Sequence, residues 1–185
     1  TMHVREFCAS GEVVSRARTS CEWVQLFRVG FSSGALTCGA LGRPLRVLVC
    51  CPTNTAADVI SEGLIKNEGA LTNLELLRMM AYTRSWRDTG TEFLKFTNFS
   101  SQTSEFIELP LEHVLKKSVV VATLTVAGKL FNMGVPRGHF DVVVVDEAQG
   151  SEDLSGLEDL LHPAGKGVFL GDRGQGLGGG PYWAR

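Results

Sequence analysis

The sequence predicts an α/β fold: a parallel sheet with helices on its faces. Three observations carry that expectation. Four short runs near residues 45–51, 119–123, 142–146 and 168–172 are dominated by β-branched and other apolar side chains, and each is short enough to be a buried strand. The stretches between these runs are compatible with helices, and strands alternating with helices mark a parallel sheet. The runs also end on polar residues, Thr123, Asp146 and Asp172 among them. In open parallel sheets, ligands bind beyond the carboxyl ends of the strands.

In chain order, residues 1–44 show no sustained period of 2 or 3.6 and are interrupted by Gly11, Gly30, Gly34, Gly39 and Gly42, so no element is assigned there. Arg16, Arg18, Trp23 and Arg28 read either as an RNA-contacting patch or as a solvated face. The character changes at Leu45. The run 45–51 is halted by Pro52, and Thr55 with Asp58 has the form of a capping box ahead of Val59, Ile60 and Leu64, which predicts a helix ending near Asn67-Glu68-Gly69. Residues 74–80 are apolar but too few for periodicity to choose between strand and helix. Residues 83–110 read as an extended or inserted loop carrying Trp86, Phe93, Phe96, Phe99 and Phe106. These aromatics either anchor the loop to the body or stack on bases.

A helical turn is expected at 111–115, then the strand ending at Thr123 and a second strand–turn–helix unit through 126–130. A loop with Gly134, Pro136 and Gly138 feeds the strand ending at Val145. Glu152 and Asp153 suit a first helical turn, with Leu154, Leu157 and Leu161 on one face. Residues 163–167 break that helix before the fourth strand. Residues 178–185 are a glycine-rich tail.

Composition narrows the function classes. At 185 residues and 44% hydrophobic, the chain can bury the core of one domain. No apolar run approaches the roughly 20 residues of a spanning helix, and the first residues lack a signal layout, so a cytoplasmic location and no membrane partner are expected. A net charge of −2 does not suit a dedicated basic nucleic-acid module, so any such contact must rest on backbone amides and hydroxyls at helix N-termini. The five cysteines, Cys8, Cys21, Cys38, Cys50 and Cys51, have no Cys-x-x-Cys spacing, which leaves buried or free thiols.

The run Val142-Val143-Val144-Val145 leads directly into Asp146-Glu147-Ala148-Gln149. A carboxylate at a strand tip can hold Mg²⁺ through its water shell, and the next can orient or deprotonate water for attack on a γ-phosphate. An acidic turn closing an ordinary strand is the other reading of the same residues. Thr53 and Thr123 precede helix starts whose unpaired N–H groups suit a phosphate.

With these motifs in order, the sequence resembles the first RecA-like domain of superfamily-one RNA helicases of the Upf-like group. The resemblance is closest to the silencing-associated branch that includes Armitage and the Moloney leukaemia virus resistance helicase. It covers residues 45–175. Cys51-Pro52-Thr53-Asn54-Thr55-Ala56-Ala57-Asp58 and the stretch Val121-Ala122-Thr123-Leu124-Thr125-Val126-Ala127-Gly128 are similar to two RNA-gripping motifs of that family. Asp146-Glu147-Ala148-Gln149 is similar to its Walker B box, and Leu170-Gly171-Asp172 with Gln175 to the motif coupling the γ-phosphate to RNA.

The resemblance implies a partial RecA-like domain of the P-loop NTPase type over residues 45–177. It implies ATP and Mg²⁺ as cofactors and single-stranded RNA and silencing-complex proteins as partners, in the cytoplasm or its RNA granules. By the same resemblance, Asp146 holds Mg²⁺, Glu147 is the catalytic base, and Gln149, Gly171, Asp172 and Gln175 serve the nucleotide, with Gln175 counted in the catalytic set. Pro52, Thr53, Asn54, Thr123 and Thr125 contact RNA.

Two departures qualify that picture. The Gly-x-x-x-x-Gly-Lys-Ser/Thr loop is missing: of the Gly-Lys pairs, Gly128-Lys129 and Gly165-Lys166 have Thr123 and Leu160 where the first glycine belongs. In addition, Gly176 stands where the family has leucine directly after its glutamine. The expectation is therefore a helicase fragment lacking the P-loop strand, with residues 1–44 standing in place of the family's upstream sequence, and inactive alone. A non-catalytic RNA-binding module is the alternative. A dinucleotide enzyme, suggested by Gly174-Gln175-Gly176-Leu177-Gly178-Gly179, fails for want of a following helix and acid.

Overall fold

The computed structural model describes residues 45–66, 75–146 and 157–169. Expectations for residues 1–44, Glu147, Gln149, the helix start at 151–153, Gly171, Asp172, Gln175 and the tail lie outside the described residues. The elements are β1 (Val47–Cys51), α1 (Asn54–Lys66), β2 (Leu76–Arg78), α2 (Thr91–Leu94), β3 (Phe99–Ser100) and β4 (Glu105–Phe106). They continue with α3 (Leu111–Leu115), β5 (Val119–Thr123), α4 (Leu124–Asn132), β6 (Phe140–Val145), α5 (Leu157–Leu160) and β7 (Leu161–Phe169).

Five strands form one sheet in the order β2-β5-β1-β6-β7, and every pairing in it is parallel. With its flanking helices this is the arrangement of a partial RecA-like α/β domain. The apolar runs explain why the sheet is sandwiched. All residues of β1 and β6 are buried, because alternate side chains serve two different cores. Val47, Val49 and Cys51 pack with Ala57, Ile60 and Leu64 of α1, whereas Leu48 and Cys50 pack with Val126, Ala127 and Leu130 of α4. Cys50 and Cys51 are buried free thiols, and burial, helped by the neighbouring Cys51, raises the Cys50 thiol above its usual range.

Two stretches resolve what periodicity leaves open. Residues 76–78 are a strand because Glu75 and β2 align with β5, Leu76 opposite Val119 and Arg78 opposite Val121. The fourth run differs from expectation. β7 starts at Leu161 rather than near 168, and Leu161 is in the strand instead of on a helix face. Pro163 and Gly165, in the stretch taken as a helix break, lie in an irregularity of the strand where the register passes from Phe140 opposite Leu161 to Val142 opposite Lys166, and Gly167 pairs regularly with Val143. Among the described residues β7 pairs with β6 alone, and an edge strand with a bulge tolerates Pro163.

Residues 83–110 are held down by Asn98. Its Oδ1 accepts from the Met80 amide at 2.7 Å, and its Nδ2 donates to the Met80 carbonyl at 3.1 Å and to the Ile107 carbonyl at 2.7 Å. Phe96 and Phe106 are buried, and Phe99 meets Trp86 at a tilt and Phe106 edge to face, with centroid separations of 5.6 and 6.0 Å. Phe96 and Phe93 anchor the segment to the core around β1 and α1, whereas Trp86, Phe99 and Phe106 pack on one another within it.

Asn98 is buried, so truncating it removes the partner of three main-chain groups. Asn98→Ala is expected to lower the unfolding free energy by about 3 kcal/mol. Urea denaturation measures this, and a loss below about 1 kcal/mol would show that water replaces the amide.

Candidate functional site

Parallel alignment brings three strand ends to one edge. Cys51 lies opposite Thr123, Cys50 lies opposite Val145, and the Asp146 amide donates to the Cys50 carbonyl at 2.8 Å. The segments beginning at Pro52, Leu124 and Asp146 therefore leave the sheet side by side. This places Pro52, Thr53, Asn54, Thr123, Thr125 and Asp146 on the same edge.

At the first tip, Pro52 has no N–H to continue the ladder, and α1 begins two residues later. The helix cap is Thr53, not Thr55. The Thr53 Oγ1 accepts from the Ala56 amide at 3.2 Å, and the Thr53 carbonyl accepts from the Ala57 amide. At the second tip Thr123 is extended and its Oγ1 accepts from the Val126 amide at 3.4 Å, starting α4 without a linker. A threonine hydroxyl that accepts from its helix still has its own proton to give. Both caps thus add a donor to the unpaired N–H groups of a helix N-terminus, which suits an anionic oxygen. Pro52, Thr53, Asn54 and Thr125 are exposed, and Thr123 is half-buried.

Asp58, expected in a capping box, has a different task. Its Oδ1 accepts from Arg78 Nε at 2.9 Å, and its Oδ2 from Arg84 Nη2 at 2.7 Å. The Arg78 side chain is fully buried; it also donates to the Met79 carbonyl at 2.6 Å and to Asn54 Oδ1 at 3.0 Å. Burial pulls the Arg78 guanidinium below the usual arginine range, and Asp58 opposes that pull. Arginine remains cationic in such settings.

The network has a geometric consequence. Because Arg78 occupies Asn54 Oδ1, the Asn54 amide nitrogen is the end left to donate. Sequence reasoning missed Arg78 and Arg84. The available signal was a charged residue inside the apolar run Leu76-Leu77-Arg78-Met79-Met80, which requires a buried partner.

Asp146 is buried at the end of β6. Its carboxylate is a hard oxygen donor of the kind Mg²⁺ takes while keeping water or phosphate in its other positions. Among the described residues no group of three or more His, Cys, Asp or Glu could hold a metal by itself. Glu147, Gln149, Gly171, Asp172 and Gln175 lie outside the described residues.

No protein-family model matches the chain. The chain is similar to "Putative helicase mov-10-B.1" of Danio rerio, with 35% identity over 56% of this chain and 10% of that protein. It is also similar to "Putative helicase MOV-10" of Gallus gallus, with 27% identity over 69% of this chain and 14% of that protein. A third similarity is to "Putative helicase mov-10-B.2" of Danio rerio, with 31% identity over 68% of this chain and 12% of that protein. The chain thus spans about a tenth to a seventh of the length of these curated relatives. The similarities support a relation to helicases.

The edge separates residues that hold the fold from residues that do not, and unfolding measurements distinguish them. Asp58→Ala, which leaves a buried guanidinium unpaired, should cost about 3 kcal/mol. Thr53→Ala should cost about 1 kcal/mol through its cap, and Thr125→Ala less than about 0.5 kcal/mol. An Asp58→Ala protein as stable as Thr125→Ala would show that Arg78 is solvated rather than ion-paired.

Proposed function

We propose that this chain is part of the first RecA-like domain of an ATP-dependent RNA helicase, from the silencing-associated branch of the Upf-like group. One observation carries the reading: the two hydroxyl-capped helix starts after β1 and β5 share an edge with the carboxylate after β6, in the order in which the family's motifs occur. The similarity to the curated helicases supports it.

In this reading RNA lies across the helix starts, its backbone oxygens taking hydrogen bonds from the hydroxyls of Thr53, Thr123 and Thr125 and from the Asn54 amide, with Pro52 shaping the turn. Such contacts grip the backbone and carry no base sequence. Asp146 is the Mg²⁺ residue and Glu147 the base toward water, while Gln149, Gly171, Asp172 and Gln175 serve the nucleotide. ATP with Mg²⁺ supplies the phosphoryl-transfer chemistry in the whole protein. The whole protein works with single-stranded RNA and silencing-complex proteins in the cytoplasm or its RNA granules. Among the described residues no helix is long and apolar enough to cross a membrane.

These 185 residues contain no Gly-x-x-x-x-Gly-Lys-Ser/Thr motif, and without that loop's amides and lysine the β- and γ-phosphates have no cradle. The chain alone is accordingly inactive. That same feature, beside two intact caps, favours a second reading in which the chain is a non-catalytic RNA-binding module.

Two measurements test the proposal. Phosphate release by the isolated chain, with and without single-stranded RNA, should not exceed that of a Glu147→Gln control; robust Glu147-dependent turnover overturns the inactive reading. RNA binding should be independent of ATP, with a shallow slope of log K against log salt, about −2 to −3 for a few phosphate contacts. No binding at low salt removes the RNA assignment.

A further inference from the structure

We infer that Tyr82 and Lys129 extend the edge into a single-strand binding platform, on which one RNA base stacks against the Tyr82 ring while the Lys129 ammonium takes the adjoining phosphate. The inference rests on the RNA-binding reading above and adds two residues to it.

Tyr82 is 68% exposed, whereas the apolar residues leading to it, Leu76, Leu77, Met79 and Met80, are buried. A tyrosine brings a large apolar face that is ordinarily packed away. The aromatics next in sequence are committed to one another: Trp86 to Phe99, Phe99 to Phe106, and Phe96 to the interior. Trp86 and Phe96 each have a cation over the ring at 5.3 Å, from Arg87 and Lys95, but Tyr82 combines a cation with an exposed ring. The Lys129 Nζ lies 4.5 Å from its ring centroid, within cation–π range. With most of the residue accessible, ring surface remains for a second planar group.

Position ties the pair to the edge. Tyr82 follows β2 beyond its carboxyl end, where the Met79 amide still bonds the Val121 carbonyl of β5. Lys129 is one helical turn after Thr125 on α4, so the two share a face. Thr125, Lys129 and Tyr82 thus run continuously from the tip of β5 toward β2.

The backbone that carries the ring is held on both sides. Asn98 binds both main-chain groups of Met80, the Arg84 amide closes a turn onto the Ala81 carbonyl at 3.0 Å, and the Arg84 guanidinium is paired with Asp58. Tyr82 lies between these fixed points, so little order is lost when a base docks.

An aromatic face beside an ammonium is the arrangement that takes single strands. The base stacks whatever its identity, and the phosphate is neutralised by the cation. Arg84 is excluded from the second task by its pairing with Asp58, which leaves Lys129 as the adjacent cation. On a chain of net charge −2, a local pair of this kind does what a broad basic stripe does elsewhere.

The test uses the full chain and a short fluorescein-labelled oligouridine, read by anisotropy at low salt, beside the same oligomer with abasic positions. Tyr82→Ala should weaken binding about tenfold and Tyr82→Phe less than about twofold, because the ring carries the stack. Lys129→Gln should reduce the salt slope by about one. The wild-type chain should prefer the base-bearing oligomer about tenfold, and on the abasic oligomer the Tyr82→Ala loss should disappear, an outcome that a merely structural role would not produce. Wild-type binding with no difference between the two oligomers, or a Tyr82→Ala protein that binds as wild type, overturns the platform and leaves the threonine contacts standing. A wild-type chain that binds neither oligomer overturns both.

Discussion

The parallel pairing of β1 with both β5 and β6 is the constraint on which everything else in this molecule depends. Parallel strands send their carboxyl ends to the same side, so three segments far apart in sequence emerge within one register step of each other. Each then meets a different need. After Cys51 the chain must turn at Pro52 and start a helix; after Thr123 it starts a helix at once; after Val145 it presents a carboxylate. The two helix starts leave N–H groups that α-helical bonding cannot satisfy, and the threonine caps meet only part of that demand. The same geometry that makes a polar edge unavoidable makes it useful for binding anions.

Burial of that sheet on both faces has a second effect, seen at β2. A strand at this position offers its side chains to a core, and Arg78 has no route to water. The fold accommodates it by drawing Asp58 from α1, and Arg84 joins through the same carboxylate. Well-packed apolar residues often stabilise as much as a buried ion pair, while breaking one is costly. The value of the network therefore lies in position. It fastens the first turns of α1 to the β2 edge and fixes which end of the Asn54 amide is free.

The edge also shows how a nearly neutral chain can be suited to a polyanion. Its donors are hydroxyls, an amide and helix N-termini, with Lys129 as a cation set against an aromatic ring. Such groups engage a few phosphates at short range and confer little long-range attraction. The polar segment after β2 is fixed by Asn98, and its Trp86, Phe99 and Phe106 rings pack on one another.

How much of this was legible beforehand follows from the range over which each feature is encoded. The strands at β1, β5 and β6 are written in consecutive β-branched residues, and the parallel α/β class follows from their alternation with helical stretches. Thr53 and Thr123 were identifiable as polar tips because hydroxyls next to a strand end are local signals, although the choice between Thr53 and Thr55 as cap needed the actual turn at Pro52. Residues 76–78 were ambiguous because three apolar residues contain no period, and only pairing with β5 makes them a strand. The start of β7 was misplaced because proline and glycine signal a break equally well in a helix and in the bulge of an edge strand. The partnership of Arg78 with Asp58, 20 residues apart, and that of Tyr82 with Lys129 depend on which strands become neighbours. Local sequence determined the elements and the chemistry at their ends, since backbone preference and capping act over a few residues. The tertiary structure decided which of those ends meet, because sheet order is settled by burial and hydrogen bonding between segments that the chain keeps far apart.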